Sequence, residues 1–326
     1  MIKFTKHAIE RIKQDGIKQS YFRLGRRSAQ SYLRLKKNII VKSIKIFRSK
    51  RGGYVVKKVL NNKFILNLKD KGITCDLLLS GIREPFSTKT VMKEIKKGDI
   101  VIDIGANIGY YALMEANLVG SKGKIYAIEP VPQNFKLLEH NIALNNYTNI
   151  ETFNLAIGAK NMINPIYLTP HCNCCSMIKD ESKITEKIMV KTVILDKFLK
   201  DKPTPNFIRM DTEGYEFEII QGMKKTLAVK KPLRIFIEIH PTIIKNKVVE
   251  LLDILEQHGF EVKRAAWEMD PLLIREVGLV KIIYNYFSSK INSPNLHPGY
   301  FNTNIKELKK ILIKSESACH VFFEKK

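Results

Sequence analysis

From residue 99 onward short apolar strands alternate with amphipathic helices, and that alternation predicts an α/β protein with a parallel sheet and helices on both faces. A second observation agrees: the strand DIVIDIG ends in a glycine-rich turn that leads directly into a helix. The third is composition. With 44% apolar and 27% charged residues, the 326-residue chain has material for a core, which excludes collagen-like, mucin-like and wholly disordered chains. Its length suits about two domains of roughly 150 residues, or one large α/β domain with additions.

The first segment differs from the rest. Residues 1–60 hold 18 Lys or Arg against Glu10 and Asp15, so most of the +24 net charge sits there. Tyr32, Leu33, Ile40, Ile44 and Phe47 recur at helical spacing with Arg34, Lys37, Lys42, Lys45 and Arg48 between them, which predicts a basic amphipathic helix over residues 28–48 within an arm spanning 1–52. Three uses suit such a helix: an anionic membrane surface, a phosphate backbone, or simple packing with a solvated outer face.

Residues 53–98 read as a β-rich lead-in. YVVKKVL and KFILNL flank an Asn61-Asn62 turn, ITCDLLL is expected as a further strand, and a helix is expected over 87–97, ending at Gly98. The catalytic-domain candidate covers 99–326. Its expected strands are 99–105, 124–130, 150–158, a hairpin within 164–200, 206–211, 233–239, FEVKRA and 318–325. Its expected helices are 110–120, 132–146, 214–229 and 245–258, the second opened by Pro132 at an early helical position. Residues 265–310, with Trp267 and three prolines, read as an inserted cap.

The most informative run is VIDIGANIGYY. An apolar strand ends at Asp103; Gly105, Asn107 and Gly109 follow at alternate positions, and Glu129 closes the next strand 20 residues beyond Gly109. Such glycines allow a tight turn and close approach of a ligand, and the acid suits ribose hydroxyls. A dinucleotide fingerprint requires G-x-G-x-x-G, but Asn107 and Tyr110 stand where glycines belong. S-adenosylmethionine carries an amino group and a sulfonium and no phosphate, so a carboxylate at the strand end suits it better than NAD.

VIDIGANIGYYAL, AIEPVPQNFKLLEHNIALN, NLAIG, VKTVILDKFL and FIRMDTEGYEFEIIQGM occur in that order, and together they resemble the FkbM family of S-adenosylmethionine-dependent methyltransferases over roughly residues 72–240. The resemblance implies a Rossmann-like class I methyltransferase fold with a mostly parallel seven-stranded sheet, and O-methylation of a hydroxyl on a glycan, lipid-linked sugar or small metabolite. It implies donor contacts from Asp103, Gly105, Ala106, Asn107, Gly109, Tyr110, Glu129, Pro130, Asn154, Ala156 and Asp211. The sequence departs from the family at Arg209, where Lys is usual, at Thr212 and Tyr215, and in the stretch HCNCCSM.

For methyl transfer to a hydroxyl, positioning and a base within hydrogen-bond reach are the main requirements. Asp211, Glu213, Glu238 and His240 leave two strand ends where an open α/β sheet places its ligand. Asp211 or His240 is the expected base, with Glu213 and Glu238 orienting groups; alternatively Asp211 and Glu213 only cap the following helix. Carboxylates at 211, 213 and 238 suit Mg²⁺ in kind, but nothing in the sequence requires an ion and none is expected. His171, Cys172, Cys174 and Cys175 are too crowded for the usual zinc spacing and read as buried or reactive thiols near the acceptor entrance. Five cysteines at irregular spacing argue against a disulfide framework. With no signal-peptide pattern in MIKFTKHAIERIKQDG and no span-length apolar run, a cytoplasmic protein is expected, held peripherally at the inner face of the membrane through residues 1–50. An RNA-directed methyltransferase and a non-catalytic membrane adaptor are the competing readings. Nucleic acid ranks below the membrane because the arm's aromatics suit an apolar helix face equally well.

Overall fold

The computed structural model describes residues 53–70, 72–169, 175–178, 186–268 and 299–325. The basic arm and its 28–48 helix lie outside them, as do His171, Cys172 and Cys174.

The chain opens on an antiparallel hairpin of β1 (Tyr54–Val59) and β2 (Asn62–Asn67). ITCDLLL is not a strand: Ile73–Ser80 form α1. The Asp70 carboxylate accepts the amide hydrogens of Gly72 and Thr74 at 2.9 and 2.8 Å, supplying partners that a helix start leaves unmet. A left-handed Gly81 ends the helix. The next helix, α2 (Pro85–Glu94), starts two residues before the expected 87 because Glu268 takes the amides of Phe86 and Ser87 at its first turn.

The main sheet is built from β3 (Ile100–Ile104), β4 (Lys124–Ile128), β5 (Ile150–Phe153), β9 (Phe207–Met210), β10 (Leu233–Ile239), β11 (Glu261–Trp267), β12 (Gly299–Phe301) and β13 (Cys319–Lys325), in the order β12-β11-β13-β10-β9-β3-β4-β5. Pairing is parallel from β10 to β5 and antiparallel on the β13 side. It has eight strands rather than seven, because Gly299–Phe301 adds a short edge strand to β11. Strands β3, β9 and β10 are buried almost throughout, as expected for a sheet covered on both faces. Helices α3 (Tyr110–Val119) and α4 (Pro132–Leu144) follow the first two parallel strands.

A second, three-stranded sheet joins β6 (Ala156–Gly158), β8 (Glu186–Ile194) and β7 (Met162–Leu168). The expected single strand 150–158 is therefore two strands in two sheets. The break falls at Asn154, whose side-chain amide donates to the carbonyls of Glu129 and Pro130 and so turns the chain across the end of β4. The short α5 (Leu195–Phe198) carries Asp196, which accepts the amides of Lys225 and Thr226. That cap splits the expected helix 214–229 into α6 (Glu216–Gln221) and α7 (Lys224–Ala228). The expected helix 245–258 is α9 (Lys247–Gln257), and a short α8 (Pro241–Ile244) precedes it. The inserted segment is narrower than 265–310: Trp267 ends β11 and stacks on Phe301 at 4.3 Å, and α10 (Ile305–Ile313) packs on α9, with Lys309 paired to Asp253 and Glu256.

Candidate active site

The carboxyl ends of β3, β4 and β9 open into a cleft of about 810 Å³, open solvent at its mouth included. One wall is the β3–α3 loop. Gly105 has a φ of 85° and passes so close to the main chain of Asp211 that a Cβ would collide with its carbonyl oxygen. Gly109, at φ 91°, packs against Leu113 and Leu138. These glycines thus serve chain-to-chain contact first, where the sequence suggested ligand approach. Between them Asn107 holds a left-handed φ of 51°. Glu129, 4% exposed, accepts the amides of Asn107 and Val131 at 2.8 and 2.9 Å and ties the loop to the end of β4. Burial pushes its carboxyl up to about 7, against these hydrogen bonds. Asn141 on α4 supports the same wall: its side chain donates to Ile108 O and accepts from Ile65 of β2.

Gly105, Ala106, Asn107, Tyr110, Glu129, Pro130, Ala156, Asp211 and Glu213 all line the cleft. Asp103, Gly109, Asn154, Glu238 and His240 are not among its lining residues. Asp103 is fully buried; directly opposite Arg209 in the β3–β9 register, it accepts from that guanidinium at 3.0 Å. Asn154 works through the carbonyls described above.

The other wall carries charge. Arg209 lies between Asp103 and Asp211, donating to the latter at 2.9 Å, with its guanidinium 3.8 Å from the Tyr111 ring centre. Burial and the neighbouring Glu238 raise the Asp211 carboxyl well above its ordinary value, and Arg209 offsets only part of this. Glu213 is raised by burial, against His240. Behind them, His240 Nδ1 bonds Glu216 Oε1 at 3.1 Å, while Nε2 faces Glu213 at 3.4 Å and Glu238 at 3.7 Å. Glu216 also accepts from Thr212 and from the Gly214 amide. Burial opposes the His240 charge, but Glu216 and Glu213 outweigh it and raise the imidazole well above its usual range. For Glu238 burial acts upward, yet His320 and His240 win and hold the carboxyl well below the ordinary value. The helix α6 starts at Glu216, after Asp211 and Glu213, and its N-cap Tyr215 makes no side-chain cap bond.

Several residues here escaped the sequence reading. Arg83 lines the cleft and pairs with Asp76 and Glu84. Glu84 accepts from Tyr111 Oη at 2.8 Å. His320 sits opposite Glu238 in the β10–β13 register. Leu155, Ile157, Ile166 and Met177 make the cleft's apolar side, and Cys175 lies beside them, its thiol pushed up to about 11 by burial. Only antiparallel pairing of the final strand with 233–239 could have linked His320 to Glu238 beforehand. Glu84 and Glu213 both hold left-handed φ angles, 43° and 52°, a strained state for glutamate that concentrates at functional sites.

The chain was compared with known proteins. Residues 103–262 match the sequence profile of the methyltransferase FkbM domain. The hexuronic acid methyltransferase AglP of Haloferax volcanii is 27% identical over 169 residues, 50% of this chain and 65% of AglP, so the match spans just under two thirds of that relative. Methyltransferase 1 of Beauveria bassiana is 24% identical over 200 residues, covering 51% of this chain and 75% of the relative. Among solved structures, M. jannaschii TYW2 in complex with AdoMet aligns with a TM-score of 0.41 at 15% identity, covering 85% of this chain and 88% of that one.

Proposed function

We propose, from the match of residues 103–262 to the methyltransferase FkbM domain profile, that the chain is an S-adenosylmethionine-dependent O-methyltransferase acting on a hydroxyl of a sugar or small metabolite. The observation that carries the reading is the meeting of two unlike walls in one cleft: a main-chain loop closed by Glu129, and a carboxylate-rich wall headed by Asp211.

The residues present fit the donor. Glu129 keeps acceptor capacity for ribose hydroxyls beyond the Asn107 and Val131 amides and the Asn134 side chain that it already meets. Leu155, Ala156, Ile157 and Ile166 offer an apolar bed for a purine. Glu213, on the same side of the cleft, suits a cationic amino acid end. The two arginines of the wall are already paired, Arg83 with Asp76 and Glu84, Arg209 with Asp103 and Asp211, which leaves them poorly suited to a pyrophosphate and disfavours NAD. When bound, S-adenosylmethionine supplies an electrophilic methyl group. Asp211 is our base: it lines the cleft, and its raised proton affinity suits removal of a hydroxyl proton. Arg209 orients it. His240, held charged between Glu216 and Glu213, is a poor base and positions Glu213 instead.

The AglP relative makes a hexuronic-acid-containing glycan the first acceptor to try. A lipid-linked sugar is the natural extension, with residues 1–50 holding the protein peripherally at the inner face of an anionic membrane; among the described residues no helix is long and apolar enough to cross one. The test is transfer of label from methyl-tritiated S-adenosylmethionine to hexuronic acid glycans, lipid-linked sugars, RNA and carboxyl acceptors. The reading predicts an alkali-stable methyl ether on a sugar, lost in Asp211→Asn. An alkali-labile ester, or label in RNA alone, contradicts it.

A further inference from the structure

Behind the cleft wall, Glu84, Glu238 and His320 converge from the start of α2, from β10 and from β13. Their ligand-capable atoms all lie within 4.8 Å of one another. His320 is 4% exposed, and neither of its ring nitrogens makes a hydrogen bond. Nε2 is directed at the two carboxylates, 3.3 Å from Glu238 Oε2 and 3.7 Å from Glu84 Oε2. Those separations exceed the usual N–H···O distance. They bracket the spacing of about 3.4 Å between two ligands held about 2.1 Å from one tetrahedral ion. The Phe236 ring stacks on the imidazole at 5.8 Å between centres and fixes its plane. Tyr111 donates to Glu84 Oε2, orienting that carboxylate as outer partners of metal ligands do.

The surrounding charge points the same way. Glu84 and Asp211 pair with Arg83 and Arg209, which also answer to Asp76 and Asp103, while Glu213, Glu216 and Glu238 share His240, so carboxylates outnumber the cations that face them. Glu238 links two imidazoles, with Oε2 toward His320 and Oε1 toward His240 at 3.7 Å, so an ion at one face is coupled to the cleft through the other. The sequence expectation of no metal weighed the carboxylates at 211, 213 and 238 for Mg²⁺ and the cluster from His171 to Cys175 for zinc, and neither Glu84 nor His320; an imidazole beside two carboxylates suits a borderline transition ion.

We propose that Glu84, Glu238 and His320 form a binding site for a divalent transition-metal cation of the Zn²⁺ or Mn²⁺ class, placed behind the acceptor wall. It goes beyond the methyltransferase reading and is measured without a methyl donor, so either can fail alone.

The test titrates the chelator-stripped full chain with Zn²⁺ alone and with Mn²⁺ alone, followed by calorimetry, with X-ray absorption at the zinc edge. One saturable site with nitrogen and oxygen scatterers and no sulfur is expected. Glu84→Gln and His320→Ala each weaken it at least tenfold, as loss of a ligand should, while Cys172→Ser/Cys174→Ser leaves it intact. Thermal melts monitor folding; if His320→Ala does not fold, Glu84→Gln carries the same prediction. No saturable binding of either ion, sulfur in the coordination sphere, or an affinity unchanged in Glu84→Gln would overturn the site and leave His320 as an imidazolium between two glutamates.

Discussion

The two walls of the cleft are made of different material. The wall we assign to the donor is mostly main chain: a glycine-containing loop, two amides held by Glu129, and an asparagine on α4 that joins the loop to the hairpin. The acidic wall is almost all side chain, assembled from α2, β9, the loop before α6, β10 and β13. A main-chain wall tolerates change in the residues that merely pass through it but not in the glycines that let strands cross. A side-chain wall keeps its fold under conservative change but loses its electrostatic balance. Substitutions should therefore fail in different ways on the two sides.

The largest effect is expected for Gly105→Ala. A methyl there meets the Asp211 carbonyl and a left-handed φ at once; strain and overpacking together cost about 3 kcal/mol or more. Melting should fall by roughly 6 °C or more, with donor binding lost. A melt within two degrees of wild type would mean that the walls do not meet as described. Next, Asp211→Asn should lower kcat by about 10²–10⁴-fold while donor affinity changes little, since Arg209 keeps its bond to Asp103. A kcat near wild type would move the base elsewhere on the acidic wall.

Glu129→Gln sharpens the donor side. With the carboxyl at about 7, wild-type affinity for S-adenosylmethionine should strengthen about tenfold as pH rises from 6 to 8, and the variant should bind weakly with a flat profile. The same shift has a stability sign. Between 4.5 and about 7 the folded protein holds a proton that the unfolded chain has released, so the donor-free protein loses stability as pH rises through that window. Parallel pH profiles for the two proteins would remove Glu129 from the donor site. Deletion of residues 1–50 removes no residue of either wall. It should abolish co-sedimentation with anionic liposomes and change donor affinity less than about twofold; equal sedimentation of both forms would exclude the membrane role of the arm.

The same contrast explains what could be read from the chain beforehand. VIDIGANIGYY and the acid after β4 are contiguous, so strand, turn, helix and the Glu129 wall were legible, down to Pro132 at the helix start. ITCDLLL was misread because its helix depends on Asp70, just outside the apolar run. The break at Asn154 and the split at Gly222–Met223 depend on partners 25 to 30 residues away. Asp103 was assigned to the donor, yet Arg209 covers it, a consequence of parallel register that local spacing does not encode. Asp211, Glu213, Glu238 and His240 were named together because they leave neighbouring strand ends. Glu84 and His320, which complete their electrostatics, come from segments 127 residues or more from them on one side and 80 or more on the other, and only folding brings them in.

The central claim is that the loop after β3 and Glu129 receive S-adenosylmethionine. Isothermal titration of the full chain with S-adenosylmethionine, with NAD in a parallel cell, tests it directly. The account predicts saturable micromolar binding of the first and none of the second. Binding of NAD alone, or of neither, would contradict it.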